Sequence, residues 1–109
     1  MTGNWSPHPV SEPVEILGTV DILMERPLDK HRLCLVRSTG RWVNLELWYK
    51  TRRRKSPWDR CLVANMDGAE AGLTITNHVN DQAVPFLDRI RDMLPEFSLM
   101  AVVETVSLR

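Results

Sequence analysis

The stretch from Arg41 to Arg60 concentrates the side chains best suited to hold a polyanion. It carries Arg41, Lys50, Arg52, Arg53, Arg54, Lys55 and Arg60 against two acids, Glu46 and Asp59. Three of the four tryptophans, Trp42, Trp48 and Trp58, fall inside it. Cations interleaved with flat aromatic rings are what single-stranded nucleic acid requires. Phosphates need positive charge along their path, with an affinity that falls as salt rises. Splayed bases need apolar surface, each stack being worth roughly 1–3 kcal/mol. The seven basic residues are therefore candidate phosphate contacts, and the three tryptophans are candidate base-stacking surfaces.

The same residues admit other readings. Arg52–Lys55 could be a solvated hairpin tip or a nuclear-import signal. Trp42 and Trp48 could belong to the core or to a dimer interface. The charge pattern leaves both options open. Residues 1–25 hold four acids and no Lys or Arg, residues 26–60 hold eleven basic residues against three acids, and residues 61–109 hold three basic residues against seven acids. The total is zero, yet charge this segregated along a chain implies either a polyanion partner or surface pairing between the segments.

Catalytic chemistry finds little support. The histidines, His8, His31 and His78, share no recognisable spacing with Cys, Asp or Glu, so no metal site is indicated. There is no Gly-rich phosphate loop and no nucleophile elbow. Asp88 and Asp92 lie one helical turn apart but read as a solvated face. The expectation is a non-enzymatic protein without a cofactor. Cys34 and Cys61 each sit in an apolar strand pattern with no Cys or His nearby. They read as buried free thiols in a reducing compartment, a disulfide between adjacent strands being the alternative. With no secretory signal pattern at the N-terminus and no apolar run of membrane-spanning length, the expectation is an intracellular protein with no membrane association.

The elements that must position these residues follow from periodicity. Residues 1–13, with Pro7, Pro9 and Pro13, show no pattern and read as a flexible tail, leaving 14–109 as a single domain. Strands are expected at Val14–Met24, Arg32–Ser38, Arg41–Thr51, Arg60–Met66 and Ala71–Val79, with a loop at Glu25–His31 and a turn at Thr39-Gly40. The third strand alternates most cleanly. Val43, Leu45, Leu47 and Tyr49 share one face, while Trp42, Asn44, Glu46 and Trp48 share the other. One amphipathic helix is expected from about Asp81 to Leu94, with Ala83, Phe86, Leu87, Ile90, Met93 and Leu94 on its apolar face. Asn80 or Asp81 caps it, and Pro95 ends it. A further strand is expected over Ser98–Leu108.

The result is an α+β domain: a mainly antiparallel sheet of about five strands packed on one helix, with another strand after the helix. If the helix covers the aliphatic face, Trp42 and Trp48 remain on an open face. That open face and the sheet's edges give the expectation of a homodimer.

The run Gly40-Arg41-Trp42-Val43-Asn44-Leu45-Glu46-Leu47-Trp48-Tyr49, followed by a polar loop, a strand, and Ala71-Gly72-Leu73-Thr74-Ile75-Thr76 leading into a helix, resembles the single-stranded-DNA-binding transcriptional coactivator family (positive cofactor four) and its PUR and Whirly relatives. The similarity spans Arg32 to Leu94, about 60% of the chain. It implies a curved antiparallel sheet, a helix after it, dimerisation, and a strand-tracking groove lined by Arg41, Trp42, Lys50 and Arg60. Ala71 stands where the family has a lysine, and the strand after the helix has no counterpart in its simplest members. The sequence thus points to a dimeric protein that binds single-stranded DNA or RNA in transcription, replication or repair. The alternative is a protein-interaction module, an adaptor or inhibitor, that docks a protein partner on a tryptophan-bearing sheet face.

Overall fold

The alternation of Val43, Leu45 and Leu47 with Asn44, Glu46 and Trp48 is realised as a strand, β5 (Val43–Lys50), inside an antiparallel sheet. The computed structural model describes residues 5–7, 11–14, 18–37, 43–50, 58–67, 72–76 and 79–107. Strands β3 (Gly18–Leu28), β4 (His31–Arg37), β5, β6 (Trp58–Asp67) and β7 (Gly72–Ile75) form a five-strand meander in which each pairs with the next. Two short strands, β1 (Ser6–Pro7) and β2 (Ser11–Val14), pair with the outer edge of β3. Part of the expected N-terminal tail is therefore strand, and Trp5 packs against the core beside it. The expected turn at Thr39-Gly40 lies outside the described residues.

The loop expected at Glu25–His31 is mostly strand. β3 runs on to Leu28 and turns through Asp29 and Lys30 into β4, with Leu28 opposite His31. Asp29 takes a φ of 56°, a left-handed conformation that Asp tolerates better than most residues. Pro27 does not break β3. The N-terminal strands pair with β3 only as far as Glu25, so Pro27 lies beyond the described pairing on that edge, where strand proline is accommodated.

The helical periodicity of Ile90, Met93 and Leu94 continues to Phe97, and so does the helix. After a turn at 81–83 and a 3-10 segment, Val84–Phe86, helix α1 spans Leu87–Ser107 with Pro95 inside it. The expected stop at Pro95 is thus absent, and helix replaces the expected strand at Ser98–Leu108 as far as Ser107, Leu108 lying outside the described residues. The apolar stripe outweighs the amide donor that proline lacks, because Ile90 and Phe97 are completely buried on opposite sides of it in sequence. Asn80 caps the entry: its Oδ1 accepts from the amides of Gln82 at 3.0 Å and Ala83 at 3.3 Å.

The helix covers the face carrying Leu33, Leu35, Val43, Leu45, Leu47 and Cys61, one of the two arrangements the alternation leaves open. β6 departs from simple alternation. A bulge between the pairs Leu45–Ala64 and Glu46–Leu62 leaves Val63 without a partner across the ladder, so Val63 and Ala64 both join the helix-side core. The other face is closed around Trp48. Val20, Ile22, Cys34, Val36 and Trp48 form a second buried cluster there, with Trp58 packed against it. Cys34 and Cys61 are free thiols in different clusters, which removes the disulfide alternative.

Candidate nucleic-acid interface

Four of the ten residues singled out for binding are described, and the sheet register brings all four together on the face away from the helix. Arg32, Trp48 and Arg60 lie side by side across β4, β5 and β6. Lys50 and Trp58 form the next pair along β5 and β6. The others, Arg41, Trp42, Arg52, Arg53, Arg54 and Lys55, lie outside the described residues.

Within this row, cations alternate with rings. The Arg60 and Arg32 guanidinium carbons lie 5.5 Å and 5.4 Å from the centre of the Trp48 ring. Arg32 is also 5.0 Å from the centre of the Trp58 ring, and the Lys50 ammonium is 5.2 Å from it. These are cation–π distances, worth about 0.5–1 kcal/mol each where exposed and more where water is excluded.

Two carboxylates hold the arginines in place. Glu46, itself buried, accepts from Arg60 Nε at 2.6 Å and Nη2 at 2.7 Å, and from Trp48 Nε1 at 3.1 Å. Such a fork is the geometry Arg supplies and Lys cannot. Glu25 accepts from Nε and Nη2 of Arg32. A register shift in β3 between Ile22 and Met24 precedes Glu25 and sets it opposite Cys34, one pleat along β4 from Arg32.

Trp48 is fully buried. Its expected role as an exposed stacking surface is therefore corrected: it is a core residue of the second face, capped by two guanidinium groups. Arg60 is half-buried and committed to Glu46. The surface pairing weighed from the charge pattern extends to other arginines, since Arg26 pairs with Glu96 at 2.9 Å and Arg37 with Asp21 at 3.4 Å. Lys50 remains exposed and Trp58 half-buried. Leu62, 39% exposed, lies on the same face, opposite Glu46.

Arg32 and Glu25 were not among the expected site residues. Arg32 falls in phase with Cys34 and Val36 along β4, but only the pairing register reveals that it meets Trp48. On the helix side, burial pushes the Cys61 thiol above its ordinary pKa; a backbone hydrogen bond from Asn80 opposes the shift and the charge of Glu46 adds to it. The thiol so held is protonated at neutral pH and a poor nucleophile. Among the described residues no three His, Cys, Asp or Glu side chains gather as a metal site, and no helix is long and apolar enough to cross a membrane. No family model, curated protein or solved structure matches the chain.

Proposed function

We propose that the protein binds single-stranded nucleic acid through the end of the β5–β6 hairpin, in the service of transcription, replication or repair. The observation that carries this reading is the setting of Trp58. Its half-buried indole is flanked by Arg32 and Lys50 at the last pair of the hairpin, Lys50–Trp58. The connection that leaves this pair is residues 51–57, four of whose seven residues are Arg52, Arg53, Arg54 and Lys55. Phosphates meet Lys50 and this connection, and a base stacks on the open part of Trp58. Trp48 and Arg60 support the hairpin from below.

A second reading, a protein-interaction module, is favoured by the exposure of Leu62 and by the carboxylate partners of Arg26, Arg32, Arg37 and Arg60. An electrophoretic shift assay with single- and double-stranded oligonucleotides at low salt separates the two. The proposal expects preferential binding of the single strand, weakened by roughly 1–3 kcal/mol in Trp58→Ala. No shift of either oligonucleotide, or a W58A variant that binds like the parent, contradicts it.

A further inference from the structure

We infer that Arg32 is the positioning residue that presents Trp58 to a base, acting through the indole and not on the phosphates. This inference rests on the nucleic-acid reading of the hairpin end. The Arg32 guanidinium lies 5.4 Å from the Trp48 ring centre and 5.0 Å from that of Trp58, and so links a buried indole to a half-buried one. Two of its nitrogens are held by Glu25. The Arg32 side chain is only 16% exposed and that of Glu25 31%. A planar cation fixed by a carboxylate and packed on the rigid Trp48 ring makes a defined seat for a second ring. Lysine offers neither the fork nor the flat face.

The seat matters because Trp58 stands at the last pair of β6 before the basic connection. Its ring is half-buried and packs against the cluster around Trp48. Stacking on a ring already in position avoids the cost of ordering it on binding. Lys50, exposed and 5.2 Å from the same ring centre, is free to exchange its ring contact for a phosphate when a base arrives.

The test is a double-mutant cycle on single-strand binding with Arg32→Lys, Trp58→Ala and the double variant, using oligothymidylate as probe and near-UV circular dichroism to check the fold. R32K is expected to weaken binding about two- to fivefold, the scale of an exposed cation–π contact, at an unchanged salt slope. In the W58A background R32K is expected to do nothing further, since non-additivity marks residues that act through one another. Glu25→Gln supplies a second variant that leaves Arg32 and both rings in place. It removes one negative charge, so charge alone predicts tighter binding, whereas loosening of the seat predicts weaker binding that again vanishes in W58A. Additive effects of R32K and W58A, a salt slope reduced by about 0.7 in R32K as for one lost phosphate contact, or tighter binding by E25Q each overturn the role of Arg32 while leaving the nucleic-acid reading intact. Failure of the parent protein to bind contradicts that reading and this inference with it.

Discussion

Three donors converge on the Glu46 carboxylate, one from Trp48 and two from Arg60. A buried carboxylate held this way is stable only while its partners remain, because an unpaired charge in the interior is far costlier than the pair. Glu46→Ala or Arg60→Ala is therefore expected to destabilise the fold by about 3–5 kcal/mol in urea denaturation. Loss of nucleic-acid affinity from R60A at full stability would instead make Arg60 a phosphate contact. Trp48→Ala, which empties a fully buried site, is expected to cost about 3–5 kcal/mol; unchanged stability would return Trp48 to an exposed role. Cys61 sets a pH dependence. Its pKa is raised in the folded state by burial, so between the ordinary thiol pKa and the raised one the folded protein binds more protons than the unfolded chain. Stability then falls as pH rises through that window and is unaffected below it. Thermal midpoints should decline above about pH 8.5 more steeply in the parent than in Cys61→Ala. Parallel declines would remove Cys61 as the cause.

Helix α1 shows how two sequence signals compete. Pro95 lacks the amide that would bond the carbonyl four residues back, at a cost of about 3 kcal/mol in a helix interior. The apolar spacing that ends in Phe97 prevails. Pro95 is exposed, so Pro95→Ala is expected to stabilise the protein by up to about 3 kcal/mol in urea denaturation; no gain would mean that the chain beyond residue 95 is not helical in solution. Elements with clean alternation or spacing were legible in the sequence. These include β5 with its two faces, a mainly antiparallel sheet of about five strands, and a helix stripe through Ile90 that packs on it. What was not legible depends on offsets of one residue. β4 and β5 pair Arg37 with Val43, one residue out from the pairing that a two-residue Thr39-Gly40 turn would impose, and a one-residue slip exchanges faces. Only the observed register sets Arg32 beside Trp48. The bulges in β3 and β6 likewise decide that Glu25 meets Arg32 and that Ala64 sits under the helix, and nothing in the residue types announces them. The burial of Trp48 escaped the sequence for another reason: alternation tells which face a side chain takes, not whether that face is covered.

Over the whole molecule, the segregated charge is partly resolved by folding. Acids of the first 25 residues and of the helix pair with arginines of the basic stretch, as in Glu25–Arg32, Asp21–Arg37 and Glu96–Arg26. The expectation of a homodimer rests on an open sheet face and open edges. The cluster around Trp48 closes its part of that face within one chain, while Leu62 on the same face stays exposed, and sedimentation of the parent protein tests the dimer. Lys50 is exposed at the end of the β5–β6 hairpin, next in sequence to the Arg52–Lys55 run, and this is where the account places the polyanion. The most direct measurement is the salt dependence of single-strand binding by the parent and by the variant with Arg52, Arg53, Arg54 and Lys55 all changed to Ala. Each phosphate contact contributes roughly 0.7 to the slope of log affinity against log salt for single strands. The account predicts a steep slope in the parent, a slope flattened by up to about 2.8 in the quadruple variant, and an unchanged unfolding midpoint. A parent whose affinity is insensitive to salt, or a quadruple variant with the parent's slope and affinity, would contradict it.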